Sequence, residues 1–226
     1  MIFIDSISTY YQYIPFNLTG FGLGIFTYLT GIWLDNTIAK KTKKYLIEND
    51  SQLLDKAYRK AAINLLIINP IVYDIVNKYL ISHTDLKLGY YAYMVYIIMY
   101  THSYYFLHMA MHEIEFLKPI HEFHHKFKKN LIPSISNAVS IEEYLFVHVI
   151  PLLIVSRLLK FTSFILIDTI ISLFNFLIHC SELKHLNYGK YLTSAKDHVN
   201  HHDPDITDDI YSTPLLNVYQ LMKDLD

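Results

Sequence analysis

Long uncharged runs dominate the pattern of this chain. No Asp, Glu, Lys or Arg occurs from Ser6 to Leu34, and none from Leu88 to His112. A membrane-spanning helix needs about 20 largely apolar residues, so Tyr13–Leu34 and the run from Leu88 each predict a span. Ala61–Leu80 is apolar but carries Asp74, Lys78 and Pro70, and the proline predicts a kink. Tyr144–Ser156 and Phe161–Cys180, divided by Arg157–Lys160, predict either a hairpin that dips in and returns or two full spans. At about 1.5 Å per residue its first arm falls short of a full crossing. No basic residue precedes the first run, which therefore reads as an anchor and not as a secretory signal.

Composition agrees with this pattern. The 226 residues are 52% hydrophobic, high for a soluble domain, and the formal net charge of −2 argues against a nucleic-acid partner. A single cysteine, Cys180, excludes an intrachain disulfide framework. The one basic cluster, Lys40-Lys41-Thr42-Lys43-Lys44, reads as a solvated segment or, as its position after the first span favours, as the cytoplasmic flank of that span. Helix parity then puts the turn His83–Lys87 outside. His108–Lys129 and the whole segment after Cys180 return to the cytoplasmic side, so two histidine-rich stretches share one membrane face.

Those stretches hold most of the 13 histidines. His108 and His112 stand four apart, a spacing that aligns both rings on one helical face. Pro119 suits the first turn of a new helix, which carries His121, His124 and His125 as one stripe. Ser194-x-x-Asp197 predicts a capping box, followed by His198, His201 and His202 at the same spacing and closed by Pro204. Neutral imidazole is a good ligand for zinc, copper, iron and nickel. Eight rings in three boxes exceed the four ligands of one tetrahedral zinc, so two metal ions fit the count better. The stretch His121-Glu122-x-x-His125 also matches a zinc-protease motif, which leaves the second H-x-x-H-H unexplained.

Taken together, "HSYYFLHMAMHEIEFLKPIHEFHHKF", "IHCSEL" and "DHVNHH" resemble the fatty acid hydroxylase / sterol desaturase superfamily of membrane histidine-box oxygenases. The His179-Cys180 pair and the tail "DIYSTPLL" are most similar to the sterol C4-methyl oxidase branch. The resemblance implies metal ligands at His108, His112, His121, His124, His125, His179, His198, His201 and His202, with His185 as a further candidate. It implies two iron ions (zinc as a substitute), O2, and electrons from NAD(P)H through a redox partner of the cytochrome b5 type. No catalytic residue beyond the metal ligands is implied. The expected fold is all-α: an integral membrane bundle of four to five helices with a cytoplasmic histidine-lined cap. Residues 1–60 would form the anchor and linker, and 61–226 the catalytic domain. The expected function is O2-dependent hydroxylation or methyl oxidation of a sterol or fatty acyl lipid. The expected location is an integral membrane protein, of the endoplasmic reticulum in a eukaryote, with the site facing the cytoplasm.

The chain departs from its relatives at several points. Thr101 stands where many carry an acidic residue, and Met109 where an arginine is common. Their Ala-His-Pro-x-Glu segment is reduced to Ala138-Val139-Ser140-Ile141-Glu142. A desaturase on the same site, a zinc protease and a non-catalytic metal-binding homologue are the alternatives. His148, His102 and His83 read as structural or exposed, and the tyrosines of the third span as core or interfacial residues.

Overall fold

The structure, a computed structural model, describes residues 16–81, 90–205 and 211–224. The turn at His83–Lys87 and the start of the first run lie outside the described residues. Within them the chain is helical, with no strand and one isolated bridge, Leu192 to Leu216.

Helix α1 (Leu18–Thr37) opens on Asn17, whose side chain accepts from the Gly20 N–H. Its buried face is small: Gly20, Gly24, Thr27 and Gly31. Small residues let helix backbones approach closely. A Cβ on Gly20 would sit 2.7 Å from the Tyr73 Cβ, and one on Gly24 would overlap the Leu65 carbonyl oxygen. The opposite face exposes Leu18, Ile25, Phe26, Leu29 and Trp33.

After α2 (Lys40–Asn49), a helical rod runs from α3 (Ser51–Ile63) into α4 (Asn69–Ile75) and on to Leu80. Pro70, where the sequence predicts a kink, lies in the first turn of α4 within this rod. The helix continues past it, and the five preceding residues Asn64–Ile68 adopt π-helical geometry. A proline ring clashes with the carbonyl four residues earlier; widening the preceding turn relieves that clash without breaking the rod. Pro151 repeats the arrangement, preceded by the π-helical segment Tyr144–Val149.

Helix α5 (Tyr91–Glu113) is the longest α-helix among the described residues, and it buries Tyr96, Tyr100, Tyr104 and His108. Tyr90 and Tyr91 are exposed, so the tyrosines divide between core and surface. Then follow α6 (Lys118–His125), α7 (Ile141–Glu143), α8 (Ile150–Val155), α9 (Phe161–Ile178), α10 (Ala195–His202) and α11 (Val218–Lys223). Among the described residues, α9 is the one helix both long and apolar enough to cross a membrane, and only 33% of it is buried.

Two cores support the site. One unites α5, α8 and α9 around Tyr96, Tyr100, Val155 and Phe164. The other packs Ala39, Leu46, Leu54 and Ala57 against Phe127, Leu131, Ile135 and Val199. Hydrogen bonds tie the same regions. Asp35 accepts from the Ser134 N–H at 3.0 Å and the Tyr58 hydroxyl at 3.0 Å. The Asn64 amide donates to the Asn137 and Val139 carbonyls. Glu182 accepts from the Thr42 N–H and hydroxyl, both at 2.9 Å. The segment 127–140, between the second histidine box and α7, is thereby held on both sides.

Candidate metal centre

Four helix ends converge on the histidines. His108 and His112 lie in the last two turns of α5. Pro119 occupies the first turn of α6, which carries His121, His124 and His125. His179 caps α9. In α10 both halves of the capping box form: the Asp197 N–H donates to Ser194 Oγ at 3.2 Å, and the Ser194 N–H donates to Asp197 Oδ2 at 3.0 Å. That fixes the first turn and aims His198, His201 and His202 inward. The helix ends at His202, two residues before Pro204.

The nine histidines form two groups, each with its ligand atoms within 4.8 Å of one another: His108, His112, His121, His125 and His201, and His124, His179, His198 and His202. Each H-x-x-H-H box is split. The α6 box sends its outer pair to the first group and His124 to the second; the α10 box sends its outer pair to the second and His201 to the first. The groups adjoin, with His125 and His202 stacked at 4.2 Å between centroids.

In the first group, His108 Nε2 lies 3.0 Å from His121 Nε2, 3.3 Å from His112 Nε2 and 3.2 Å from His201 Nε2, and His121 Nε2 lies 2.9 Å from that of His125. In the second, His179 Nε2 lies 3.2 Å from His124 Nε2 and 2.8 Å from His198 Nε2. One ring nitrogen offers a single lone pair or a single proton, so hydrogen bonding cannot satisfy three neighbouring nitrogens at once. A shared cation can. Metal–imidazole bonds of about 2.1 Å put adjacent ligand nitrogens about 3.0–3.4 Å apart, close to the separations here.

The outward nitrogens support this reading. His108 Nδ1 donates to the Ser212 carbonyl at 3.0 Å and His179 Nδ1 to the Asn175 carbonyl at 2.8 Å. His121 Nδ1 donates to Glu143 Oε1 at 2.6 Å. Such contacts fix the tautomer and turn the Nε2 lone pair inward. Burial, reinforced by neighbouring rings, holds His121, His124, His198, His201 and His202 far below the ordinary imidazole value, and takes His125 down to about 3. The rings are thus neutral, the form that ligates. Burial likewise pushes the Glu143 carboxyl upward. Desolvation therefore drives both partners of the His121–Glu143 contact toward neutrality. A cation on the Nε2 side would restore the carboxylate. Both nitrogens of buried His202 have no hydrogen-bond partner, which fits a metal ligand.

His185 joins neither group; it is exposed beside Lys184 and Lys196 on a surface groove. His148 packs between Tyr104 at 5.5 Å and Tyr144 at 5.3 Å. His102 donates to the Ile98 carbonyl at 2.7 Å, and His83 lies outside the described residues. Glu122, the base of the protease motif, is exposed and paired with Lys126 at 3.3 Å.

Three contacts escape sequence reasoning. Glu143, not Glu142, reaches the cluster. Its signal was Ser140-x-x-Glu143, a capping-box spacing, but only half the box forms: the Glu143 N–H donates to Ser140 Oγ while its carboxylate turns to His121. Ser212 and Tyr211 arrive from the C-terminal strap, which pairs Leu215 with Thr193 and Tyr191 with Asn217 through the backbone. The Tyr211 ring lies 5.4 Å from that of His112.

No curated protein and no solved structure matches this chain. A family profile described as fatty acid hydroxylase matches residues 93–215. The matched segment is more than half of the chain and spans both histidine groups, Glu143 and Ser212. The chain belongs to the fatty acid hydroxylase family, an assignment that implies an oxidoreductase of lipid metabolism.

Proposed function

We propose that this protein is a membrane-bound, O2-dependent lipid hydroxylase whose nine clustered histidines hold two iron ions. The observation that carries the reading is the division of the two boxes between a five-ring and a four-ring group. Two adjoining sets of inward donors suit a metal pair better than one tetrahedral ion. When bound, the metals supply O2 binding and activation for insertion into a C–H bond. The chain supplies the rest: Ser212, Asn175 and Glu143 orient three of the rings, and the helix ends enclose the cluster away from bulk water. Electrons would come from NAD(P)H through a redox protein of the cytochrome b5 type.

The membrane reading rests on the surface of the helices. α1, α5 and α9 turn Phe26, Trp33, Met94, Ile98 and Leu166 outward, while Thr27, Asp35, Thr101 and Asn175 are buried. Exposed apolar side chains on that scale support a lipid-facing surface. Four to five membrane helices, with the histidine end on the cytoplasmic side and residues 1–60 as anchor and linker, complete the proposal.

The test has two parts. Protein produced with iron should contain about two iron ions per chain, as the ligand surplus requires. Lipids from cells with and without the protein, grown under isotopically labelled O2, should differ by a product carrying the label. A new double bond without label would make the protein a desaturase. A single zinc, retained when His198, His201 and His202 are all replaced, would overturn the metal assignment.

A further inference from the structure

Helix α5 carries a second regular pattern below the first histidine box. Tyr96, Tyr100, Tyr104 and His108 follow at intervals of four, and all are buried. Their ring centroids are separated by 6.4 Å, 6.3 Å and 5.7 Å in turn. From Tyr96 the contact continues to Phe164 at 6.3 Å and from Phe164 to Tyr73 at 5.4 Å. Tyr73 is fully buried, and its hydroxyl donates to Asp168 Oδ2.

Packing accounts for the rings but not for the hydroxyls. Phenylalanine would fill the same space without desolvating a phenol, and the Tyr96 hydroxyl has no hydrogen-bond partner. Asp168 lies within α9, the one described helix long and apolar enough to cross a membrane. An ionisable group in such a segment is retained for a use. The chain of aromatic contacts therefore joins the five-histidine group at one end to a phenol–carboxylate pair at the other.

We propose that this ladder carries an oxidising equivalent from the histidine cluster to Tyr73 when no lipid C–H bond is in place to receive it. The inference rests on the oxygenase reading, since the oxidant is the metal centre after it has taken up oxygen. Tyr73 loses one electron, which passes across Phe164 and through Tyr96, Tyr100 and Tyr104 to the centre, reducing it by one electron. The phenolic proton moves along the existing hydrogen bond to Asp168 Oδ2. The products are a neutral phenoxyl radical and a carboxylic acid, and the only bond broken is the phenolic O–H. A phenol that loses an electron becomes a strong acid, so the hole comes to rest where a base already accepts its proton. Tyr73 meets that condition and Tyr96 does not.

The experiment uses the full chain, iron-loaded and in detergent, mixed with hydrogen peroxide without added lipid and frozen for electron paramagnetic resonance. A tyrosyl radical is expected, with an amplitude severalfold lower in Tyr73→Phe and Tyr100→Phe. Asp168→Asn, which keeps an acceptor for Tyr73 but not the base, should lower it as well. Tyr93→Phe should leave it unchanged, because Tyr93 lies off the ladder and contacts Ser163 Oγ at 2.9 Å. Iron content measured on every variant separates loss of the radical from loss of the metal. A radical of full amplitude in Tyr73→Phe and Tyr100→Phe would overturn the ladder. So would the absence of any radical in protein that holds iron and consumes peroxide, an outcome that leaves the oxygenase reading standing. Protein that neither holds iron nor consumes peroxide would overturn both.

Discussion

His121 Nδ1 donates to Glu143 Oε1 at 2.6 Å, and both side chains are almost wholly buried. The contact joins the second histidine box to the first turn after a loop of some 15 residues, and it makes Glu143 an orienting group for a ligand it precedes in no motif. Glu143→Gln retains an acceptor for the ring but removes the negative charge that balances a cation on the Nε2 side. Removing such a partner typically costs about 10–100-fold in metal affinity. Metal titration of the purified variant should show a loss of that order while its circular dichroism stays unchanged. Unaltered affinity would reduce Glu143 to a packing residue.

Gly24 makes a different kind of contact, backbone against backbone. Because a Cβ there would overlap the Leu65 carbonyl oxygen inside the π-helical segment, Gly24→Ala forces α1 and the Ser51–Leu80 rod apart. Overpacking of this kind costs about 1–3 kcal/mol. Gly22→Ala is the control, since a Cβ on Gly22 meets nothing within 4 Å; there the better helix propensity of alanine should stabilise slightly. Thermal unfolding in detergent should separate the two variants clearly. Equal melting temperatures would mean that α1 does not pack as described.

The α-helical class, the histidine boxes and their caps were legible in the sequence because each depends on local rules. Ser194 and Asp197 form their box within four residues, and Pro119 opens α6 by its own fixed backbone. The division of each box between two groups was not legible. His121, His124 and His125 lie on one helical stripe, and only the placement of α10 across from α6 decides which ring turns to which neighbours. The same holds for Glu143 over Glu142: adjacent carboxylates are equivalent until the approach of α6 favours one. The π-helical segments were missed for a related reason. A proline announces a local conflict, but whether the preceding turn widens depends on what packs beside it, here α1 at Leu65.

Orientation is the next expectation. The basic run on α2, the segment after α6 and α10 should all be reached from the same side of the membrane, and the start of α5 from the other. Exposed positions suited to single cysteines are Lys44, Lys129, Lys196 and Tyr90. In a Cys180→Ala background, an impermeant thiol reagent applied to sealed vesicles should label the first three together and Tyr90→Cys from the opposite face. Labelling of Lys129→Cys and Lys196→Cys from opposite sides is incompatible with one histidine cluster.

The split of the α6 box separates the two chemistries that its sequence allows. A protease would rely on Glu122 as base and on His121 and His125 as ligands, with no use for His124. In the structure Glu122 is exposed and engaged with Lys126, while His124 is buried against His179, whose Nε2 lies 3.2 Å away. Glu122→Gln is therefore expected to leave metal content and lipid oxidation nearly intact. His124→Ala should release the ion of the four-ring group and keep the other, halving the metal per chain. His125→Ala should weaken the other ion, because its ring belongs to the five-ring group. Each loss should abolish lipid oxidation, since one ion cannot do the work of a pair. Metal analysis of the three variants beside a lipid assay decides the matter: a chain that tolerates His124→Ala but not Glu122→Gln is a hydrolase.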